Sequence, residues 1–180
     1  NTRSRGLGDV YKRQSQTSAF TAVANSTARA GTNSITVSQI AKEQRSISGG
    51  FNNSTDSVND GSAFTLSFAI GASNPATQTV QVTDTSVEGT AAAINAANLG
   101  IRAEIINTGA ASGNYQIQLV GETGAEKAFT VSSSDNSLNF TSLQTATDAN
   151  LNVNGVNFTR GSNSINDIVT GVTLNLLSTT

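Results

Sequence analysis

Cysteine and histidine are both absent from this chain of 180 residues, and those two gaps exclude more chemistry than any motif supplies. No disulfide, thiolate zinc site or cysteine nucleophile is possible. The commonest general base and metal ligand is missing as well. Carboxylate or Ser-Lys chemistry stays open to such a chain, but it carries no phosphate loop, nucleophile elbow or metal-spaced set of carboxylates. Charged residues are 12% of the total, about half the usual share. Aromatic residues are 5%, and proline occurs once, at Pro75. With a net charge of −2 and no basic patch, nucleic-acid binding has little support. No run approaches the roughly 18 apolar residues that span a bilayer, and no segment joins the charged start and apolar core of a secretory signal. The expectation is a protein without cofactor or metal, contacting neither nucleic acid nor membrane, and not an enzyme.

Polarity comes instead from Ser, Thr, Asn and Gln, punctuated by 16 glycines. Disordered chains are usually poor in β-branched residues and rich in charge or proline; this chain is the reverse. Its composition suits exposed β-structure with a modest core spread over small domains.

Residues 1–14 (N-T-R-S-R-G-L-G-D-V-Y-K-R-Q) do not match the rest. They resemble translated sequencing-adapter sequence, with a natural basic tail as the alternative. Residues 15–30 form a small-residue lead-in. Ile35 and Val37 then alternate with polar neighbours as a half-buried strand. Ile40 to Gln44 either continues it or begins a helical turn, and Gly49 to Gly61 reads as a loop. Phe64, Leu66, Phe68 and Ile70 make a clear strand, followed by one at Val80 and Val82. Thr85 and Glu88 have capping-box spacing. Val87, Ala91, Ile94 and Ala97 share one helical face, and Gly100 sits where a C-terminal cap is expected. Further strands follow at Ile101–Ile105, Tyr115–Leu119, Phe129–Val131 and Leu138–Leu143.

The densest run of ordered signals is 149–177. Leu151 and Val153 alternate with asparagines, and Asn154-Gly155 favours a type I′ turn, since both central residues need positive φ. Val156 and Phe158 resume the alternation, giving a hairpin. Arg160-Gly161-Ser162-Asn163 reads as a turn whose side chains bond nearby backbone, with Arg160 alternatively crossing a subunit interface. Ile165, Ile168 and Val169 fall at near-helical spacing, Gly171 ends that turn, and Val172, Leu174 and Leu176 form a strand. Asp56 to Gly61 has the look of a calcium loop but lacks its alternating ligands and terminal glutamate. The expected fold is mainly β (α+β), two small β-rich domains, one inserted into the other. Residues 31–60 and 141–180 form a discontinuous β-domain, and 61–140 an inserted α+β domain with one clear helix.

Four pieces of the chain resemble the flagellar hook-associated protein 2 family, the filament cap of bacterial flagella. They are Gly31 to Gln44 (G-T-N-S-I-T-V-S-Q-I-A-K-E-Q), the Ile94-Asn95 motif followed by Gly100-Ile-Arg-Ala103, the Ala146-Thr-Asp148-Ala149 hairpin segment, and Arg160-Gly-Ser162-Asn163-Ser-Ile165 through Gly171-Val-Thr-Leu174-Asn-Leu176. The last is the most specific. The resemblance implies a structural protein secreted through the flagellar export channel to the extracellular filament tip. There identical subunits form a ring beneath which flagellin folds. It further implies that this chain is the plate region only, without the long leg helices and their coiled coil. Expected partners are other copies of itself and flagellin, with host surface glycans as a further candidate. The rival reading is a secreted surface adhesin or carbohydrate-binding β-module.

Overall fold

In a computed structural model, residues 18–134 and 138–180 are described. The adapter-like residues 1–14, the start of the lead-in and positions 135–137 lie outside them. The described chain is strand-rich with one helix. In order, the elements are β1 (Phe20–Ala24), β2 (Ile35–Gln39), β3 (Glu43–Ser48), β4 (Phe64–Ile70), β5 (Ala76–Val82), α1 (Val87–Ala96), β6 (Arg102–Asn107), β7 (Tyr115–Thr123), a 3₁₀ turn (Ala125–Lys127), β8 (Phe129–Ser133), β9 (Phe140–Gln144), β10 (Ala149–Val153), β11 (Val156–Arg160), β12 (Ser164–Val169) and β13 (Val172–Leu176).

The chain divides into two units, 18–41 with 149–180, and 42–148. These boundaries differ from those expected, 31–60 with 141–180 and 61–140. The reason is β3, which pairs with β7 on one side and β9 on the other and so takes 42–60 and 141–148 into the second unit. The lead-in likewise holds a strand, β1, paired along its length with β13.

The first unit contains two three-stranded sheets, β1-β13-β12 and β11-β10-β2. Its core gathers Ala19, Phe20, Val37, Ala41, Ala149, Leu151, Val153, Ile165, Leu174 and Leu176. The hairpin β10–β11 closes with Val153 opposite Val156, and Asn154 and Gly155 both have positive φ, 53° and 87°. That is the two-residue turn the sequence implies. The helical turn expected at Ile165 to Val169 is instead strand β12. Ile165 pairs with Leu174 and Val169 with Val172, so four steps along β12 oppose two along β13. This bulge shifts the phase of the strand, and its apolar spacing then imitates a helix. Gly171 turns the chain at φ 75°. A Cβ there would also meet the backbone of Ala28 at 2.3 Å.

The second unit pairs a four-stranded sheet, β6-β7-β3-β9, with a three-stranded one, β5-β4-β8. Phe64, Leu66 and Phe68 of β4, Val80 and Val82 of β5, Val87, Ala91 and Ile94 of α1, Ile117 and Leu119 of β7 and Phe129 of β8 share one apolar cluster. Fully buried side chains of this kind contribute roughly 1.5–3 kcal/mol each by leaving water. The helix cap is Ser86 rather than Thr85: the Ser86 hydroxyl accepts the Gly89 amide at 2.9 Å. Thr85 is buried, its hydroxyl 3.0 Å from that of Ser57. Thr90, not Ala97, completes the inward face. At the other end the residue just past the cap is Asn98, at φ 51°. Gly100, φ 74°, serves the turn into β6.

Candidate functional site

The residues singled out in the sequence do not converge on one reactive centre; they tie strands together. Ile94 is fully buried within α1. Asn95, its neighbour, reaches to β6: its side-chain amide donates to the Ala103 carbonyl at 2.9 Å, and the Ala103 amide donates back to its Oδ1 at 2.8 Å. Asn163 does the same to Ala41. Its Nδ2 donates to the Ala41 carbonyl at 2.9 Å and its Oδ1 accepts the Ala41 amide at 2.7 Å. A primary carboxamide carries a donor and an acceptor at the spacing of a peptide group, so each acts as a one-residue strand partner.

A third clip of this type was not legible in the sequence. Gln44 of β3 donates to the Phe129 carbonyl at 2.7 Å and accepts the Phe129 amide at 3.0 Å. Only its polar alternation signalled it, with Gln44, Ser46 and Ser48 all buried on one side of the strand. Ser48 Oγ also accepts the Ile117 amide at 2.9 Å. Satisfied in this way, buried polar groups fix register at little net cost.

Asn154 adds a related tie at the hairpin turn. Its Oδ1 accepts the Ser34 amide, its own amide donates to the Ser34 carbonyl, and its Nδ2 donates to Asn33 Oδ1, each at 2.9 Å. Gly155 donates to Asn152 Oδ1 at 2.8 Å. Arg160 is committed within its own unit. Its Nε lies 3.1 and 3.0 Å from the two Asp167 oxygens, Nη1 donates to the Thr159 carbonyl, and its guanidinium stands 5.6 Å from the Phe158 ring centre. The hydrogen bond from Arg160 holds the Asp167 carboxyl below its ordinary range. Ser162 accepts the Ser164 amide at 3.1 Å, a local turn bond. Leu174 is a buried core residue and Gly171 the turn before it.

The calcium-like loop folds its carboxylate inward on itself. Asp56 accepts from the Asn53 side chain and from the amides of Asn53 and Asn52, and those bonds, led by the Asn53 side chain, lower its pKa. Among the described residues no group of three His, Cys, Asp or Glu is placed to hold a metal, and no helix is long and apolar enough to cross a membrane. An open depression at the end of α1 is lined by Asn95, Asn98, Arg102 and Glu122. Its charges are already paired, Arg102 with Glu104 at 2.7 Å and Glu122 with Lys127 at 2.6 Å. The arrangement holds strands in register.

A family profile described as "Flagellar hook-associated protein 2 C-terminus" matches residues 146–180. A sequence search among curated proteins found no match. Among solved structures, the fold is similar to the D2–D3 domains of the flagellar cap protein FliD from Escherichia coli, at 28% identity and a TM-score of 0.79, covering 92% of this chain and 91% of that one. The D1-D2-D3 structure of the same protein matches at 27% identity and a TM-score of 0.80; this chain covers 92% of itself and 53% of that longer chain, and so spans about half its length. The D2–D3 domains of the cap protein from Serratia marcescens share the fold at 22% identity and a TM-score of 0.76, over 90% of this chain and 94% of that one. The resemblance read from the sequence is thus supported twice, by the C-terminal profile and by the fold: this chain is similar to a fragment of a flagellar cap protein.

Proposed function

We propose that this chain is the plate portion of a bacterial flagellar filament cap, a structural part that self-associates at the filament tip and promotes flagellin assembly. The observation that carries the reading is the alignment of both units with the Escherichia coli D2–D3 domains over 92% of the chain at 28% identity. The mechanism is geometric. Subunits with strands locked in register offer a rigid surface under which an incoming flagellin subunit folds, and no bond is made or broken. Passage through an export channel places the protein outside the cell, and a chain free of cysteine travels unfolded without risk of cross-linking.

The exposed large apolar residues Val23, Leu143, Val156 and Leu177 are aliphatic. They suit protein contact better than the aromatic stacking expected of a sugar-binding surface. The test is a chimera in which this chain replaces the D2–D3 segment of the Escherichia coli cap protein, expressed in cells lacking their own cap. Filaments that elongate and cells that swim support the proposal. A chimera that is folded and exported, yet leaves flagellin monomers in the medium and no filaments, contradicts it.

A further inference from the structure

Sheet edges are pairing sites unless something blocks them, and most blunted edges carry a charge, a bulge or a cover. In this chain most edges are managed. The outer strand β6 carries the Arg102–Glu104 ion pair, β12 carries a two-residue bulge and Asp167, and β11 ends in Arg160. At β2, Thr180 bonds the Val37 amide and carbonyl. Strands β1, β8 and β9 are edges of five residues each.

β5 is different. It is an edge strand of seven residues, paired with β4 over its whole length without a register shift. Its sequence, A-T-Q-T-V-Q-V, has no charge and no proline within it, and Thr77, Thr79 and Gln81 are exposed. By register these three share a face with Thr65, Ser67 and Ala69 of β4 and with Thr130 and Ser132 of β8. Across that face the side chains are uncharged, and the largest of those on β5, Gln81, accepts the Thr65 hydroxyl at 3.0 Å.

We propose that β5 is a pairing edge whose partner is β5 of a second copy of this chain. In an antiparallel arrangement centred on Thr79, Thr79 stands opposite Thr79 of the other copy, and Thr77 opposite Gln81. A strand without charge meets no like charge when paired with itself. Hydroxyl and carboxamide groups both donate and accept, so the facing residues complement their own copies, and Thr–Thr pairs are favourable across strands. The two three-stranded sheets become one of six, with the hydroxyl-bearing face continuous across the join. Two edges of seven residues bury less than the roughly 1,200 Å² at the low end of stable interfaces, so the contact is weak and concentration-dependent. It is also twofold. A twofold contact joins copies in pairs and does not itself close a ring, which makes the inference independent of the cap reading.

The test is sedimentation velocity of the full chain from micromolar to millimolar concentration, with Thr79→Lys, Thr79→Glu and their equimolar mixture. Residue 79 is exposed, and far-UV circular dichroism verifies that each variant keeps its fold. The expected result is reversible dimerisation of the wild type, association weakened at least tenfold in either variant alone, and recovery in the mixture, where Lys faces Glu. A wild type that stays monomeric at millimolar concentration overturns the proposal. So does a variant that dimerises as well as the wild type, or a mixture that fails to recover.

Discussion

The two units solve the same problem with different proportions of apolar burial and polar clipping. The second unit packs three phenylalanines of β4 and β8, a helix face and both of its sheets into one cluster. Its carboxamide clips at Asn95 and Gln44 reinforce a core that already specifies the fold. The first unit has a smaller cluster, three of whose members are alanines and only one of which is aromatic. There the ties from Asn163 to Ala41, from Asn154 to Ser34 and from Thr180 to Val37 hold segments more than 100 positions apart in sequence. Small cores supply little surplus stability, so polar ties carry a larger share of the first unit's specificity. That places the family-like residues 160–174 in a physical role: they close a discontinuous domain.

The largest effect is expected where the second unit's core is cut. Phe68→Ala removes a fully buried ring and is expected to lower stability by about 3–5 kcal/mol, read as a fall in the urea midpoint by far-UV circular dichroism. A loss under about 1 kcal/mol would show that the core collapses around the gap, which well-packed interiors resist. Next comes Gly155→Val in the first unit. A β-branched residue at φ 87° is strained by about 1–3 kcal/mol, and an unchanged midpoint would remove the Asn-Gly turn from the account. In the opposite direction, Thr90→Val is expected to stabilise by about 1 kcal/mol. The Thr90 hydroxyl is buried and has no hydrogen-bond partner, and an apolar group of the same shape relieves that desolvation.

The smallest effect concerns acid. The folded-state pKa of Asp167 is lowered, chiefly by its hydrogen bond from Arg160. A depressed carboxyl contributes stability that is present above its unfolded pKa and lost as pH falls through the folded value. Asp167→Asn therefore removes a small part of the stability at neutral pH and flattens the fall below about pH 4. Urea midpoints at neutral and acid pH measure it, and high salt shrinks the difference because the pair is solvent-exposed.

Much of this was legible in the sequence where side chains alternate between apolar and polar. β4, β5, β7, β10, β11 and β13 announce themselves in that way, and Asn154-Gly155 fixes its turn by backbone chemistry alone. β3 did not, because its buried side is Gln44, Ser46 and Ser48; the alternation is there, but in polar residues satisfied by partners far away in sequence. β1 was hidden by small residues, and β12 by a bulge that gave its apolar positions helical spacing. At the helix start, Thr85 and Ser86 offer adjacent hydroxyls, and only the three-dimensional position of Ser57 decides which is buried and which caps. The clips were half legible. Asn95 and Asn163 stood out through their motif, yet the partners Ala103 and Ala41 carry no side-chain signal that would identify them.

The comparison between the units rests most directly on Asn163. Replacing it by alanine deletes both hydrogen bonds to Ala41 and leaves a partly buried donor and acceptor unmet, a loss of about 2 kcal/mol. Native-state hydrogen exchange of Asn163→Ala, followed amide by amide, reads where that loss falls. Exchange is expected to be faster, by roughly thirtyfold, in β2, β10, β12 and β13, with β4, α1 and β7 unchanged. Equal loss across both units, or none in the first, would contradict that expectation.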